Sequence, residues 1–233
     1  MTLWEIDIHP ATGERDRAAL RVVSAARELG LADQNLQVAA ARGFLVQGAE
    51  LDRGQAERLA NELIGDLVVE TPVVGEIADA RLVSPPARLA PKDANVACVT
   101  VLLKPGVMDP VAQSTLAAAA DLGVPLEAVS TVRKYWFAGA SAEVVKNVSE
   151  RLLANDAIEQ IAIGPLAMKH LGAGQAYAFE LRHVPIRELD DAALVRLSRE
   201  GQLYLQPAEM QTIRAYFREL GRDPTDVELE TIA

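Results

Sequence analysis

Asp109-Pro110-Val111-Ala112-Gln113-Ser114-Thr115-Leu116-Ala117-Ala118-Ala119-Ala120-Asp121-Leu122-Gly123 is the stretch that decides how this sequence folds. An acidic N-cap is followed by proline at the first helical position, then by a run of good helix formers, then by a closing glycine. The pattern predicts a helix over Pro110–Leu122. About 93 residues earlier the same signature recurs, with Asp16 before Arg17–Leu29 and Gly30 closing it. The endings Glu28-Leu29-Gly30 and Asp121-Leu122-Gly123 align. An internal repeat is therefore the first organising feature of the chain.

Working outward, each helix is preceded by a strand-like run. Leu3–His9 alternates and ends at Pro10, and Val99–Leu103 is continuous and ends at Lys104-Pro105. After each helix comes a long β-rich region, Leu36–Gln47 or Val129–Ala138, long enough to fold as a hairpin. A second helix follows, Arg53–Ile64 or Ala142–Asn155, in which Leu59-Ala60-Asn61-Glu62 aligns with Leu153-Ala154-Asn155-Asp156. Leu67–Val69 and Ile158–Ile163 read as closing strands. This order packs two helices on one face of an antiparallel sheet, the β-α-β-β-α-β ferredoxin-like arrangement of an α+β protein. Two such units leave an open sheet face, so they are expected to pair as a pseudo-dimer within one polypeptide.

Asp79–Asp93 contains Pro85-Pro86 and Pro91 and reads as an extended linker. Gly172-Ala173-Gly174 reads as a loop before a last strand, Ala176–Leu181. The domain boundaries are then a first repeat at 1–78, a Pro-rich linker at 79–95, a second repeat at 96–182 and a helical region at 183–233. In the last of these, Asp190 caps Asp191–Glu200, which Gly201 stops. Pro207 opens a helix through Leu220, with Met210, Ile213, Tyr216, Phe217 and Leu220 at apolar spacing. Thr225-Asp226-Val227-Glu228 is a capping box for a helix that reads as cut off at Ala233.

Composition narrows the class without naming a chemistry. The chain has 233 residues, 50% hydrophobic and 24% charged, with a net charge of −10. Disorder is excluded by the apolar fraction, and no apolar run approaches the roughly 20 residues of a spanning helix. An acidic balance with 4% aromatics argues against a nucleic-acid surface. Met1–Pro10 lacks the pattern of a secretory signal, and Cys98, the single cysteine, has no internal disulfide partner. A cytoplasmic protein is expected.

Candidates for chemistry are sparse. His9, His170 and His183 lie in three different elements and Cys98 sits within a strand as a small hydrophobe. No catalytic, cofactor-binding or metal-binding residue is expected. One cluster stands out, formed by Lys104-Pro105-Gly106 and Arg133-Lys134-Tyr135-Trp136. On a strand, Arg133 and Tyr135 face one way and Lys134 and Trp136 the other. Arg, Tyr and Trp dominate interfaces, which makes Lys104, Arg133, Lys134, Tyr135 and Trp136 candidate interface residues. The plain alternative is an amphipathic strand with solvated cations.

Three motifs then resemble a known family. Leu103-Lys104-Pro105-Gly106-Val107-Met108-Asp109-Pro110, Val132-Arg133-Lys134-Tyr135, and Leu152-Leu153-Ala154-Asn155 with Ile158-Glu159 resemble the small PurS subunit of phosphoribosylformylglycinamidine (FGAM) synthase. The family has a glycine between the Arg and Lys of its central strand, and here Arg133 and Lys134 adjoin. Tyr216-Phe217-Arg218 and Gly221-Arg222-Asp223-Pro224-Thr225-Asp226-Val227-Glu228-Leu229-Glu230 resemble the linker and synthase start of the large PurL subunit. The resemblance implies a component of an ATP- and glutamine-dependent C–N ligase of purine biosynthesis, carrying no complete active site of its own. It implies partnership with a PurL-type synthase domain or subunit and a PurQ-type glutaminase, and self-association, with no nucleic-acid or membrane partner. ATP and Mg²⁺ are implied for the full synthase only. The alternative is a tandem ferredoxin-like regulatory module that binds a small effector, since such modules share the fold.

Overall fold

Two carboxylates organise the α/β packing. Asp16 Oδ1 accepts from Ala19 N at 3.0 Å, capping the first helix, while its Oδ2 accepts from Ala40 N at 2.8 Å on a neighbouring strand. Asp109 does the same, with Oδ1 accepting from Ala112 N at 2.9 Å and Oδ2 from Thr131 N at 2.8 Å. Each carboxylate thus starts a helix and fixes it to the sheet. Gly30 and Gly123, at φ +65° and +79°, end the two helices in the left-handed conformation that a β-carbon disfavours.

The computed structural model describes residues 2–89, 96–171 and 181–233. The chain divides into two units, Met1–Gln175 and Ala176–Ala233. The first contains β1 (Thr2–Pro10), α1 (Arg17–Glu28), β2 (Gln37–Gly48), α2 (Arg53–Leu59), β3 (Glu70–Glu76) and α3 (Ala80–Val83). It continues with β4 (Ala97–Leu103), α4 (Pro110–Asp121), β5 (Ala128–Ala138), α5 (Ala142–Val148) and β6 (Glu159–Ile163). The six strands form one antiparallel sheet in the order β3-β1-β2-β5-β4-β6. Its centre is the long β2–β5 pairing, from Gln37 opposite Ala138 to Gln47 opposite Ala128.

Several expectations change. The central region of each half is one unbroken strand rather than a hairpin, so each half has three strands and not four. Its register runs through without a turn, because β2 and β5 pair with each other along their length while β1 and β4 take the outer edges over Arg42–Gly48 and Val132–Phe137. Leu67–Val69 is a turn, not a strand: Asp66 accepts from Val68 N through Oδ1 at 3.1 Å and from Glu70 N through its carbonyl at 2.7 Å. The edge strand begins only at Glu70. Asp79–Leu89 is not extended either. Asp79 caps α3, a 3₁₀ turn forms over Ala87–Leu89, and Leu82 and Leu89 are buried, since the sheet face beneath offers apolar cover. Leu181 aside, the strand expected at Ala176–Leu181, like the loop at Gly172–Gly174, lies outside the described residues.

Strand parity splits the core into two layers. On one face, Trp4, Ile6, Ile8, Phe44 and Val46 pack against α2 and α4, while Val99, Val101, Tyr135 and Phe137 pack against α1 and α5. On the other, Ala39, Ala41, Cys98 and Trp136 lie under Leu89 and Val83. Leu3, Leu45, Leu102 and Val132 lie under Leu166. Both α2 and α5 run on into a single π-helical turn, Ala60–Ile64 and Ser149–Leu153. The last carbonyls of those turns are satisfied by guanidiniums: Arg42 Nη2 donates to Ile64 O at 2.8 Å and Arg133 Nη2 to Leu153 O at 3.0 Å.

Arg42 and Arg133 face each other in the β2–β5 register. Like charges directly opposite destabilise a sheet, so each needs its own counter-charge. Glu70 lies 2.7 Å from Arg42 and Glu159 2.5 Å from Arg133. The two guanidiniums are drawn apart, each towards a helix C-terminus where a cation is favoured.

The second unit holds a 3₁₀ turn at Ile186–Glu188 and α6 (Asp191–Glu200), α7 (Pro207–Glu219) and α8 (Asp226–Ile232). Ile186, Leu194, Met210, Ile213, Phe217 and Leu229 form its core, whereas Tyr216 and Leu220 of the expected apolar set are largely exposed. Asp190 caps α6, and the Thr225/Glu228 capping box starts α8. Among the described residues no helix is long and apolar enough to cross a membrane.

The carboxylate caps generate a direct expectation. Asp16→Ala and Asp109→Ala should each lower unfolding free energy by about 1–2 kcal/mol, the upper range for a cap. The double variant should be additive, because the sites are distant. Urea denaturation of the three variants measures this.

Candidate functional site

The strand β5 carries Arg133-Lys134-Tyr135-Trp136, and the pleat sends these side chains to opposite faces. Arg133 and Tyr135 face the helices, and Lys134 and Trp136 face the layer closed by α3. Lys134 is only 1% exposed. Its ammonium has three protons to donate and three partners: Glu5 Oε1 at 2.7 Å, Asp7 Oδ2 at 2.7 Å and Leu82 O at 2.6 Å. The Trp136 ring centre lies 5.3 Å from Nζ, and Trp136 Nε1 donates to Val83 O at 3.0 Å. This cluster joins β1 of the first half, β5 of the second and the segment between them.

An ion pair sealed from water costs several kcal/mol per charge in desolvation, so it persists only with its hydrogen bonds satisfied. Here one cation meets two carboxyl groups. Burial and the neighbouring Glu5 push the Asp7 carboxyl up to about 8, against the pull of Lys134. Burial therefore favours the protonated form of Asp7, and among the described residues its Oδ1 has no hydrogen-bond partner. Burial pulls Lys134 down, but Asp7 and Glu5 together outweigh it and hold the ammonium above its usual range. Gly43 makes room for Asp7: a β-carbon there would stand 2.9 Å from Asp7 Oδ1 and 2.6 Å from Val132 Cγ2.

His9 lies on the same face, buried, with its ring 5.1 Å from that of Trp136. Burial, Arg88 and Lys134 lower it to about 4, so it is neutral. Burial likewise raises the Cys98 thiol to about 11, which leaves it an inert hydrophobe. Among the described residues no three His, Cys, Asp or Glu side chains converge as metal ligands.

The five interface candidates are thus dispersed. Lys134 and Trp136 meet in the buried cluster, and the partner that Lys134 finds is the other half of its own chain. Tyr135 is buried on the helix face, Arg133 binds Glu159 and Leu153 O, and Lys104 Nζ donates to Asp156 O in a loop at the sheet's end. His170 is exposed, as is His183, whose Nδ1 lies 3.4 Å from Asp223 O. Glu5 and Asp7 escaped the sequence reading, because acids at alternate strand positions ordinarily mark a solvated face. A lysine within the β-rich stretch Val132–Phe137 is the one local signal.

With this geometry in place, family models locate the chain. Residues 96–165, which span β4 to β6, match the PurS model described as phosphoribosylformylglycinamidine (FGAM) synthase. Residues 194–233, within the helical unit, match the formylglycinamide ribonucleotide amidotransferase linker domain. Over these two stretches the chain is related to components of FGAM synthase. Among curated proteins it is similar to the phosphoribosylformylglycinamidine synthase subunit PurL of Thermoplasma acidophilum, 44% identical over 52 residues. The PurL subunit of Thermoplasma volcanium is 42% identical over 52 residues. The matched stretch is 22% of this chain and 7% of either relative, so the chain corresponds to a small part of their length.

Two outcomes test the buried cluster. Lys134→Met leaves two buried carboxyls without their cation and should cost about 3–5 kcal/mol, read as a lower urea midpoint. Adding Glu5→Gln and Asp7→Asn should restore part of that loss. The pH dependence has a definite sign. The folded state keeps a proton on Asp7 that the unfolded chain releases above 3.8, so this term lowers stability as pH rises towards 8. Neutral His9 acts oppositely between about 4 and 6.5. Between pH 6.5 and 8 the Asp7 term is the one of these two that still changes, so stability should fall there, and Asp7→Asn should flatten that fall.

Proposed function

We propose that this chain is the PurS-like and linker part of an FGAM synthase, acting as a rigid scaffold that holds a glutaminase beside a PurL-type synthase. The observation that carries this reading is the join between the two halves of the sheet. Both halves have the order β-α-β-α-β, and equivalent residues make equivalent bonds: Asp16 with Asp109, Arg42 with Arg133, Glu70 with Glu159. In this reading the two halves are PurS-like repeats of three strands each, paired as a pseudo-dimer along β2 and β5. Only the second repeat retains the motifs that the PurS model matches.

A scaffold for ammonia transfer requires shape complementarity and rigidity rather than an acid–base pair. The saturated lysine cluster supports that reading, because its donors are all committed internally. In this reading the chain is a component of an ATP-dependent C–N ligase acting in the cytoplasm on formylglycinamide ribonucleotide. ATP and Mg²⁺ belong to the synthase portion.

The test combines this protein with a PurL-type synthase and a PurQ-type glutaminase. Co-elution on sizing and a rise in glutamine-dependent, but not ammonia-dependent, amidation are expected. No co-elution and unchanged turnover overturn the scaffold. Saturable binding of an amino acid without any such assembly favours the regulatory module instead.

A further inference from the structure

At the N-terminus of α1 lies a cavity of about 400 Å³ whose polar lining differs from that of the corresponding place in the other half. Tyr135 reaches it from β5, across the seam, where Ala40 is its register partner. Tyr135 is 6% exposed and its ring packs in the core beneath the helices. Among the described residues its hydroxyl has no hydrogen-bond partner, and it is the end of a core residue that faces the cavity. The residue is buried but its oxygen is not sealed from solvent, so this donor stays open to a ligand in the cavity.

Arg15 and Arg17 line the same cavity, both exposed, and neither guanidinium forms an ion pair among the described residues. The remaining charges are already committed. Arg42 and Arg133 are held by Glu70 and Glu159. Asp16 is held by Arg88 and by the amides of Ala19 and Ala40. Glu14 is the one lining acid without a partner among the described residues. Two free guanidiniums against one free carboxylate, beside the positive end of a 12-residue helix, leave the cavity attractive to an anion. Ile8, Pro10 and Val69 supply apolar wall.

The scaffold does not require these groups. At the corresponding place in the other half, the N-terminus of α4 is flanked by Met108 and Pro110, and Phe44 stands opposite Thr131 where Tyr135 stands opposite Ala40. The same backbone positions there carry apolar side chains. Arg15, Arg17 and Tyr135 are therefore particular to the α1 end of the sheet, the first two from one half and the tyrosine from the other.

We infer that the cavity at the N-terminus of α1 is a binding site for a small phosphate monoester, its oxyanion held by Arg15, Arg17 and the Tyr135 hydroxyl. A phosphoryl group suits this donor set, because guanidiniums and a phenol all donate to its oxygens. The site goes beyond the scaffold reading and does not depend on it.

The experiment uses the whole chain, with inorganic phosphate and phenyl phosphate as probes, by titration calorimetry at low ionic strength. Saturable binding is expected, tighter for phenyl phosphate because its ring meets the apolar wall. Arg15→Ala and Arg17→Ala, both at exposed positions, should weaken it about tenfold each, and Tyr135→Phe about threefold to tenfold. Lys169→Ala removes an exposed charge elsewhere and should leave the affinity unchanged. No saturation by either probe up to about 20 mM overturns the site. So does an equal loss in the Lys169 variant, which would mark diffuse charge attraction. Circular dichroism of each variant establishes that the fold is retained.

Discussion

The buried ammonium of Lys134 is the constraint around which the sheet is arranged. It can exist in the interior only while Glu5, Asp7 and the Leu82 carbonyl accept its three protons. Those acceptors come from β1 and from the short α3, whereas the lysine comes from β5. Satisfying one side chain therefore fixes three elements that are distant in sequence. It also explains why the segment after β3 is folded down rather than extended: Leu82 and Val83 present carbonyls to Lys134 and Trp136 while the Leu82 side chain covers the apolar floor.

On the opposite face the logic is reversed. Arg42 and Arg133 are partly exposed and repel across the central pairing, and each is anchored outward to a glutamate and to the end of a π-turn. The helix-covered face carries charges that separate, and the face beneath α3 carries charges that converge. Both arrangements act across the β2–β5 join, where a conventional apolar contact would hold the two halves less specifically.

Much of the secondary structure was legible because its signals are local. Asp16 and Asp109 cap helices through amides three residues on, and Gly30 and Gly123 end them through a conformation open to glycine. The Thr225 capping box is equally short-range. What escaped the reading depends on residues far apart. Whether Leu36–Gln47 is a strand or a hairpin is decided by partners on both its edges, and Leu67–Val69 is a turn because Asp66 closes it. Lys134 reads as a solvated cation until β1 is brought to within 2.7 Å of it. For the site itself, residue types were visible and their orientation followed from the pleat, but their grouping required the register.

The lysine cluster is also lopsided. Strand register places Gly43 where Lys134 has its counterpart, and Cys98 and Thr100 where Glu5 and Asp7 have theirs. A symmetric pair of identical subunits could not be built this way, since every lysine would appear twice and every acid twice, crowding four carboxylates and two ammoniums around one axis. Gly43 shows the geometric side of that prohibition, for a side chain of any size there would meet Asp7. Joining the halves in one polypeptide lifts the requirement that both obey the same residue choices. One half can then supply the charge and the other the space to accommodate it, and the orientation of each half relative to its neighbour becomes single-valued.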